Sequence, residues 1–254
     1  MKIIDIHSHF NIGREFDCPE NAVHKRNMQF AKAEYDNCSI IAGGFCPYSS
    51  VMCANDGIFD DNEYFSNLAK NTDWVYQWVV LDPRQEKLFS QIERLIETEK
   101  VLGIKIHTPF HGYDINEYAD KIFSFANKLK CFVLSHPDNI DDLTHYVDIA
   151  DKYPDMKVIL AHLGTEAYVD AIKAAKHGNI YTDTSGGASS KNNIIEYAVE
   201  KIGSEKIFFG TDLYSCGFQR GRIEFARIAL EDKENILYKN ATAHFDFSQV
   251  LKKK

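Results

Sequence analysis

The residues of this sequence best suited to chemistry stand in polar clusters at the ends of apolar runs. His7 and His9 follow KIID, Lys105 and His107 close LGIKIH, and His136 closes CFVLSH. His162 closes KVILAH, Asp183 sits in IYTDTS and Asp212 closes IFFGTD. In an extended strand alternate side chains share a face, so His7 and His9 point the same way, as two ligands of one metal would. Each cluster also has a plainer reading. Two histidines can share a solvated strand end, His136-Pro137 can be a turn, His162-Leu163-Gly164 a helix-start loop and Asp212 a cap. Taken together, neutral imidazoles and a carboxylate are the donors that a divalent metal such as zinc takes.

The apolar runs that carry these residues are short and rich in branched or aromatic side chains. Eight of them read as strands: KIIDIH, SIIAGG, VYQWVVLD, LGIKIH, CFVLSH, KVILAH, IYTDTS and IFFGTD. Between them lie stretches with helical spacing, such as Leu88, Ile92, Leu95 and Ile96 within 84–100, and Tyr118, Ile122, Phe125 and Leu129 within 114–129. Asp114 followed by Glu117 predicts a capping box, and Gly178 and Gly203 follow helical segments near 166–177 and 190–202. Strands alternating with amphipathic helices predict a parallel sheet covered by helices, and eight such units in 254 residues fit a closed (β/α)8 TIM barrel, an α/β fold, as one domain over 1–254. An open doubly wound sheet fits less well, because no G-x-G-x-x-G or P-loop follows a strand. The longest irregular stretch, 43–59, is expected to form the largest loop over the barrel mouth. Active sites in this fold sit where the strands end, which brings all the polar clusters to one mouth.

Composition narrows the partners. Apolar residues at 44% and charged residues at 26% describe a globular chain with a substantial core. A net charge of −8 argues against a nucleic-acid partner, since phosphate binding needs a basic face, and the terminal Lys-Lys-Lys is too short to reverse it. No run is long enough for a membrane span, and MKIIDIH turns polar too soon for a signal peptide. The expected location is cytoplasmic. Cys18, Cys38, Cys46, Cys53, Cys131 and Cys216 include no C-x-x-C pair and read as reduced thiols. Cys131 opens a strand as packing; the place of Cys216 is less clear. A homo-oligomer is compatible with the pattern.

The HSH of strand one, SHP of strand five, AHLG of strand six and GTDL of strand eight resemble the amidohydrolase superfamily, more closely its amidohydrolase-2 branch of metal-dependent TIM-barrel hydrolases and decarboxylases. The resemblance runs from residue 5 to residue 212. It implies that His7, His9, His136 and Asp212 bind a divalent metal, expected to be zinc, with Asp212 also handling protons. It makes His162 the histidine that orients or polarises substrate or moves a proton. Such a centre activates water and polarises a carbonyl or carboxylate. For Lys105 the resemblance points two ways. In binuclear relatives a strand-four lysine is carboxylated and bridges two metals; with one metal, the favoured reading, Lys105 contacts a substrate anion.

Other positions are weaker. Arg14 can grip a substrate carboxylate in bidentate fashion or simply lie on the surface. His107 shares a strand face with Lys105 and is a candidate substrate contact, and His111 lies within reach in the next loop. His24, His145, His177 and His244 read as surface or packing residues, and Asp183, Thr184 and Ser185 as hydrogen-bonding support. The expected partner is a small molecule, with a carboxylate on it as one option. Hydrolysis of an amide, lactone or ester-like bond is slightly favoured over decarboxylation of an unsaturated or aromatic acid, because the short chain leaves little room for the insertions of larger decarboxylases. A TatD-like deoxyribonuclease would supply a glutamate where this chain has GIKIH. An inactive metal-binding relative would have lost a ligand position, and none is lost.

Overall fold

The computed structural model describes residues 2–252, leaving Met1, Lys253 and Lys254, two of the three terminal lysines, outside the described residues. Eight strands form the core: β1 (Ile3–Phe10), β2 (Ile40–Pro47), β3 (Val75–Val80), β4 (Val101–His107), β5 (Phe132–His136), β6 (Lys157–Leu160), β7 (Ile180–Asp183) and β8 (Ile207–Phe208). All adjacent pairs from β1 to β8 are parallel and follow sequence order. The ring closes by backbone bonds between the first strand and the residues after the last. Ile6 N donates to Phe209 O at 2.9 Å, and Asp212 N donates to His7 O at 2.8 Å. The result is the (β/α)8 barrel that the alternation of periods predicts.

The helical stripes pack as their spacing requires. On helix Glu86–Leu95, Leu88, Ile92 and Leu95 are fully buried, each contributing about 1.5–3 kcal/mol by leaving water. Helix Ile115–Leu129 starts at Asp114, whose carboxylate accepts from Asn116 N at 2.9 Å. Glu117 N bonds to the Asp114 carbonyl instead, so the reciprocal half of a capping box is absent from the bonds seen here. Gly203 follows helix Ile194–Ile202 with φ +79°, a conformation that costs glycine little. The six cysteines are free thiols, with Cys131 and Cys216 both buried. Among the described residues no helix is long and apolar enough to cross a membrane.

The expected loop over 43–59 is more ordered than its composition suggests. Phe45, Cys46 and Pro47 continue β2 because they pair with Ser8, His9 and Phe10 of the long first strand. Tyr48–Met52 then forms a short helix, and the next helix starts at Ile58. Only the residues between those helices are irregular, since the Pro-Tyr-Ser-Ser turn chemistry starts a helix here instead of an open loop.

Strict alternation would place Asp5 on the same face as His7 and His9, but β1 shifts register between Asp5 and Ser8. Asp5 instead accepts from Tyr35 OH at 2.7 Å, from Thr211 and from His7 N at 3.0 Å. The irregularity leaves the Ile6 carbonyl to the buried Trp78, whose indole N–H donates to it at 2.6 Å. At the opposite end from the strand termini, Phe245 plugs the barrel against Phe132, with ring centroids 4.7 Å apart. His244 packs edge-on against Phe132 and Tyr181 there. The open end is therefore the one where β1, β4 and β5 deliver their histidines.

Candidate active site

His7 is fully buried, and its Nδ1 lies 2.8 Å from Asp183 Oδ2. A carboxylate only accepts, so Nδ1 carries the proton and Nε2 presents a lone pair inward. That nitrogen faces His9 Nε2 and the Lys105 amine, each at 3.2 Å. Asp212 Oδ1 stands 3.2 Å from His9 Nε2. Cys46 Sγ, 3.0 Å from His9 Nδ1, supports the second ring, and burial holds the thiol protonated by pushing it up to about 12. One ligand atom from each of His7, His9 and Asp212 falls within 4.8 Å of the others. Burial, with the charge of Lys105 adding to it, pushes His7 down to about 4 against the opposing pull of Asp183, and burial holds His9 well below its ordinary value. Two neutral imidazoles, one with its lone pair fixed inward, and a carboxylate fit a divalent metal. Burial also lowers the pKa of Lys105, which is fully enclosed.

On the other wall, β4 and β5 pair in register so that His107 lies beside His136. Their rings stack at 4.2 Å between centroids, and Phe110 covers the outer face of His107 at 4.3 Å. Burial, then the charges of neighbouring histidines and Lys105, keeps both imidazoles neutral, with His136 pushed down to about 2. His136 Nδ1 lies 3.1 Å from His162 Nε2, and His162 Nδ1 lies 2.8 Å from Ser185 Oγ. His162, Asp212 and Leu213 all have left-handed backbone, with φ of +68°, +57° and +53°, strain of the kind that gathers at functional sites.

These groups line a cavity of about 150 Å³ whose polar floor is His9, Lys105, His107, His136, His162 and Asp212 and whose walls include Tyr48, Met52, Phe110 and Tyr214. A hollow of that size holds a ligand comparable to one benzene ring. A larger hollow of about 740 Å³ lies at the opposite end beside Lys2, Tyr35 and Trp74, away from the histidine cluster and without convergent chemistry.

The structure thus brings together His7, His9, Lys105, His107, His136, His162 and Asp212. Of these, His136 stands with His162 and His107 and outside the tight group of His7, His9 and Asp212. Arg14 is placed elsewhere. Its Nε donates to Asp61 Oδ1 at 2.7 Å, and Asp61 also takes the hydroxyls of Ser49 and Ser50, so this pair braces the helix that roofs the cavity. His111 braces the same helix, its Nε2 lying 2.8 Å from Ser50 O. The arginine at the mouth is Arg26, sandwiched between Tyr48 and Tyr214 at 4.6 Å from each ring and donating to Asp212 O at 3.1 Å. Nothing in the local sequence marks Arg26, since loop arginines are common and the sandwich joins segments distant in the chain. The tyrosines had one signal: each follows a strand closely, where mouth residues originate.

The chain belongs to the amidohydrolase family, whose profile matches residues 4–247, and is an enzyme of that class. Among solved structures it is similar to the 2,6-dihydroxybenzoate decarboxylase from Rhizobium, at 15% identity and TM-score 0.75 over 97% of this chain and 99% of that one. It is similar also to a dihydroxybenzoic acid decarboxylase from Polaromonas sp. JS666 with bound manganese and 2-nitroresorcinol, at 16% identity and TM-score 0.75 over 97% of each chain. A candidate 2-pyrone-4,6-dicarboxylic acid hydrolase from Pseudomonas putida matches at 16% identity and TM-score 0.69, over 96% of this chain and 97% of that one. No curated protein sequence matches the chain at a significant level.

Proposed function

We propose that this enzyme is a metal-dependent hydrolase of a small lactone-, ester- or amide-like molecule that carries a carboxylate. The observation that supports it is the placement of Asp212. Asp183 is occupied in fixing His7, whereas Asp212 borders the cavity beside His9. A carboxylate in that position can take a proton from an attacking water and return it to the leaving group. His7, His9, Asp212 and His136 would hold the metal, zinc or manganese. The bound ion would supply Lewis acidity, lowering the pKa of water and polarising a carbonyl. Lys105, released from His7 by the metal, would donate to the substrate carboxylate, and His107 would contact the substrate from the stacked wall. Arg14, held by Asp61, has no part in this scheme.

Decarboxylation of a small aromatic acid is the second reading, favoured by the ring-sized cavity and its walls of Tyr48, Phe110, Met52 and Tyr214. The solved relatives named as decarboxylases agree with it. The test is to load the protein with Zn2+ or Mn2+ and assay lactones, amides and aromatic acids for acid release and for CO2. Lactone or amide turnover without CO2 supports hydrolysis. CO2 from an aromatic acid alone transfers the assignment to the second reading, and metal uptake without turnover of any compound counts against both.

A further inference from the structure

Arg26 is only 3% exposed, and its guanidinium has the Asp212 carbonyl for a partner, at 3.1 Å, in place of a carboxylate. The rings of Tyr48 and Tyr214, each 4.6 Å from the guanidinium carbon, hold the cation by their π faces and so set its orientation. Each part of this sandwich is rooted in the barrel. Asn11 N donates to Arg26 O at 2.6 Å, which ties the arginine to the end of β1. Tyr48 follows Pro47, the last residue of β2, which pairs with Phe10 of β1. Asp212 and Tyr214 lie on the loop after β8. One side chain therefore joins the loops of β1, β2 and β8, where the ring of strands closes.

The turn that Arg26 meets is strained. Asp212, Leu213 and Ser215 all have left-handed backbone, with φ of +57°, +53° and +43°, and such a run of non-glycine residues persists only where its surroundings hold it. Two contacts pin the Asp212 backbone: its N–H donates to His7 O at 2.8 Å, and its carbonyl accepts from Arg26. Leu213 N donates to Thr211 Oγ1 at 3.1 Å and secures the next residue. We propose that Arg26, oriented by Tyr48 and Tyr214, is a positioning residue that fixes this turn and thereby aims the Asp212 carboxylate at His9, 3.2 Å away. Tyr48, Tyr214 and Asp212 border the cavity, whereas Arg26 lies behind them, so it acts through them and not by touching substrate. The inference rests on the reading of Asp212 as metal ligand and proton carrier, and says what keeps that carboxylate in place.

The test begins with amide hydrogen exchange, read residue by residue by NMR on metal-free protein. In Arg26→Ala the amides of Asp212 and Leu213 should exchange at least roughly 10-fold faster. The Ile6 amide, bonded to Phe209 O beside them, should keep its rate. Mn2+ affinity, measured by calorimetry, should fall roughly 10- to 100-fold, and kcat should fall with KM nearly unchanged. Millimolar guanidinium, small enough for the space between the tyrosines, should restore slow exchange and affinity. Tyr214→Ala, at a half-exposed position, should give the same pattern at smaller size and decides the matter if Arg26→Ala does not fold. Unchanged exchange at Asp212, equal acceleration at Ile6, or local loosening that leaves kcat and Mn2+ affinity intact would overturn the proposal. So would a raised KM at constant kcat, which would make Arg26 a substrate contact. Local loosening in a protein whose wild type binds neither Mn2+ nor Zn2+ would uphold the hold on the turn and remove the metal-dependent reading, so the two fail separately.

Discussion

The imidazoles of His107 and His136 lie face to face on adjacent strands, 4.2 Å between centroids and 17° between planes. Burial, with the charges of His162 and Lys105 adding to it, keeps His136 neutral and available as a donor. Replacing His136 by Ala should leave a folded barrel and weaken divalent-metal binding on the order of 100-fold or more. Elemental analysis after dialysis checks it, and stoichiometric metal retained in the variant removes His136 from the ligand set.

Lys105 separates two arrangements of the centre. As the amine that releases His7 for a metal and then meets a substrate anion, Lys105→Met should leave metal content unchanged while raising KM for a carboxylate substrate at least roughly 10-fold, the loss of one charge-assisted contact. Loss of metal in this variant, restored by a short-chain carboxylic acid, would instead identify a lysine carbamate among the ligands.

Trp78 supports the floor of the site from beneath. Its indole N–H satisfies the Ile6 carbonyl that the register shift in β1 sets aside. Trp78→Phe keeps most of the apolar volume and leaves that buried acceptor unpaired, at a cost of about 1–3 kcal/mol. Thermal unfolding should show a fall in Tm of about 2–4 °C for each kcal/mol. An unchanged Tm would mean that Ile6 O finds another donor.

Part of the acid sensitivity comes from one ion pair on the outer layer. Burial would raise the Glu196 carboxyl, but the Arg222 guanidinium at 2.9 Å and the Arg227 N–H outweigh it and hold the group down to about 2. Because the folded pKa lies below the unfolded one, the pair stabilises the fold above about pH 4.5 and its contribution disappears as pH falls toward 2. Glu196→Gln should therefore be less stable than wild type by about 1–2 kcal/mol at pH 7, allowing for partial solvent screening. Urea midpoints should converge between pH 4.5 and 2; a gap independent of pH would make the effect one of packing.

The barrel was readable from sequence because its signals are local. Period-2 and period-3.6 patterns alternate in KIIDIH, the Leu88–Ile92–Leu95 stripe and their counterparts, and strand ends mark themselves with polar residues. The gathering of His7, His9, Lys105, His107, His136, His162 and Asp212 at one mouth follows from the fold alone. Arg14 and Arg26 show where that reasoning stops: both are loop arginines, and only the chain path decides that one meets Asp61 and the other the tyrosines of the mouth. The register shift at Asp5 was equally hidden, since nothing in D-I-H-S-H distinguishes an even strand from one that turns its first carboxylate toward Tyr35. The contact between His162 and Ser185, in the following strand-end cluster, likewise depends on strand order rather than on any motif.

The seam between Asp212 and His7 also bears on how the protein is made. The two aspartate-to-threonine contacts that close it, Asp5 with Thr211, span 206 positions of the chain. While the polypeptide emerges at about 5–20 residues per second, the histidines of the first strand are exposed long before the carboxylate that completes their cluster. A nascent chain therefore carries an unfinished binding site for many seconds, and capture of a metal with the final geometry must wait for the last strand to dock. Metal occupancy would then report that synthesis and ring closure are complete, and a ribosome-bound chain stalled before residue 211 should compete poorly for the ion.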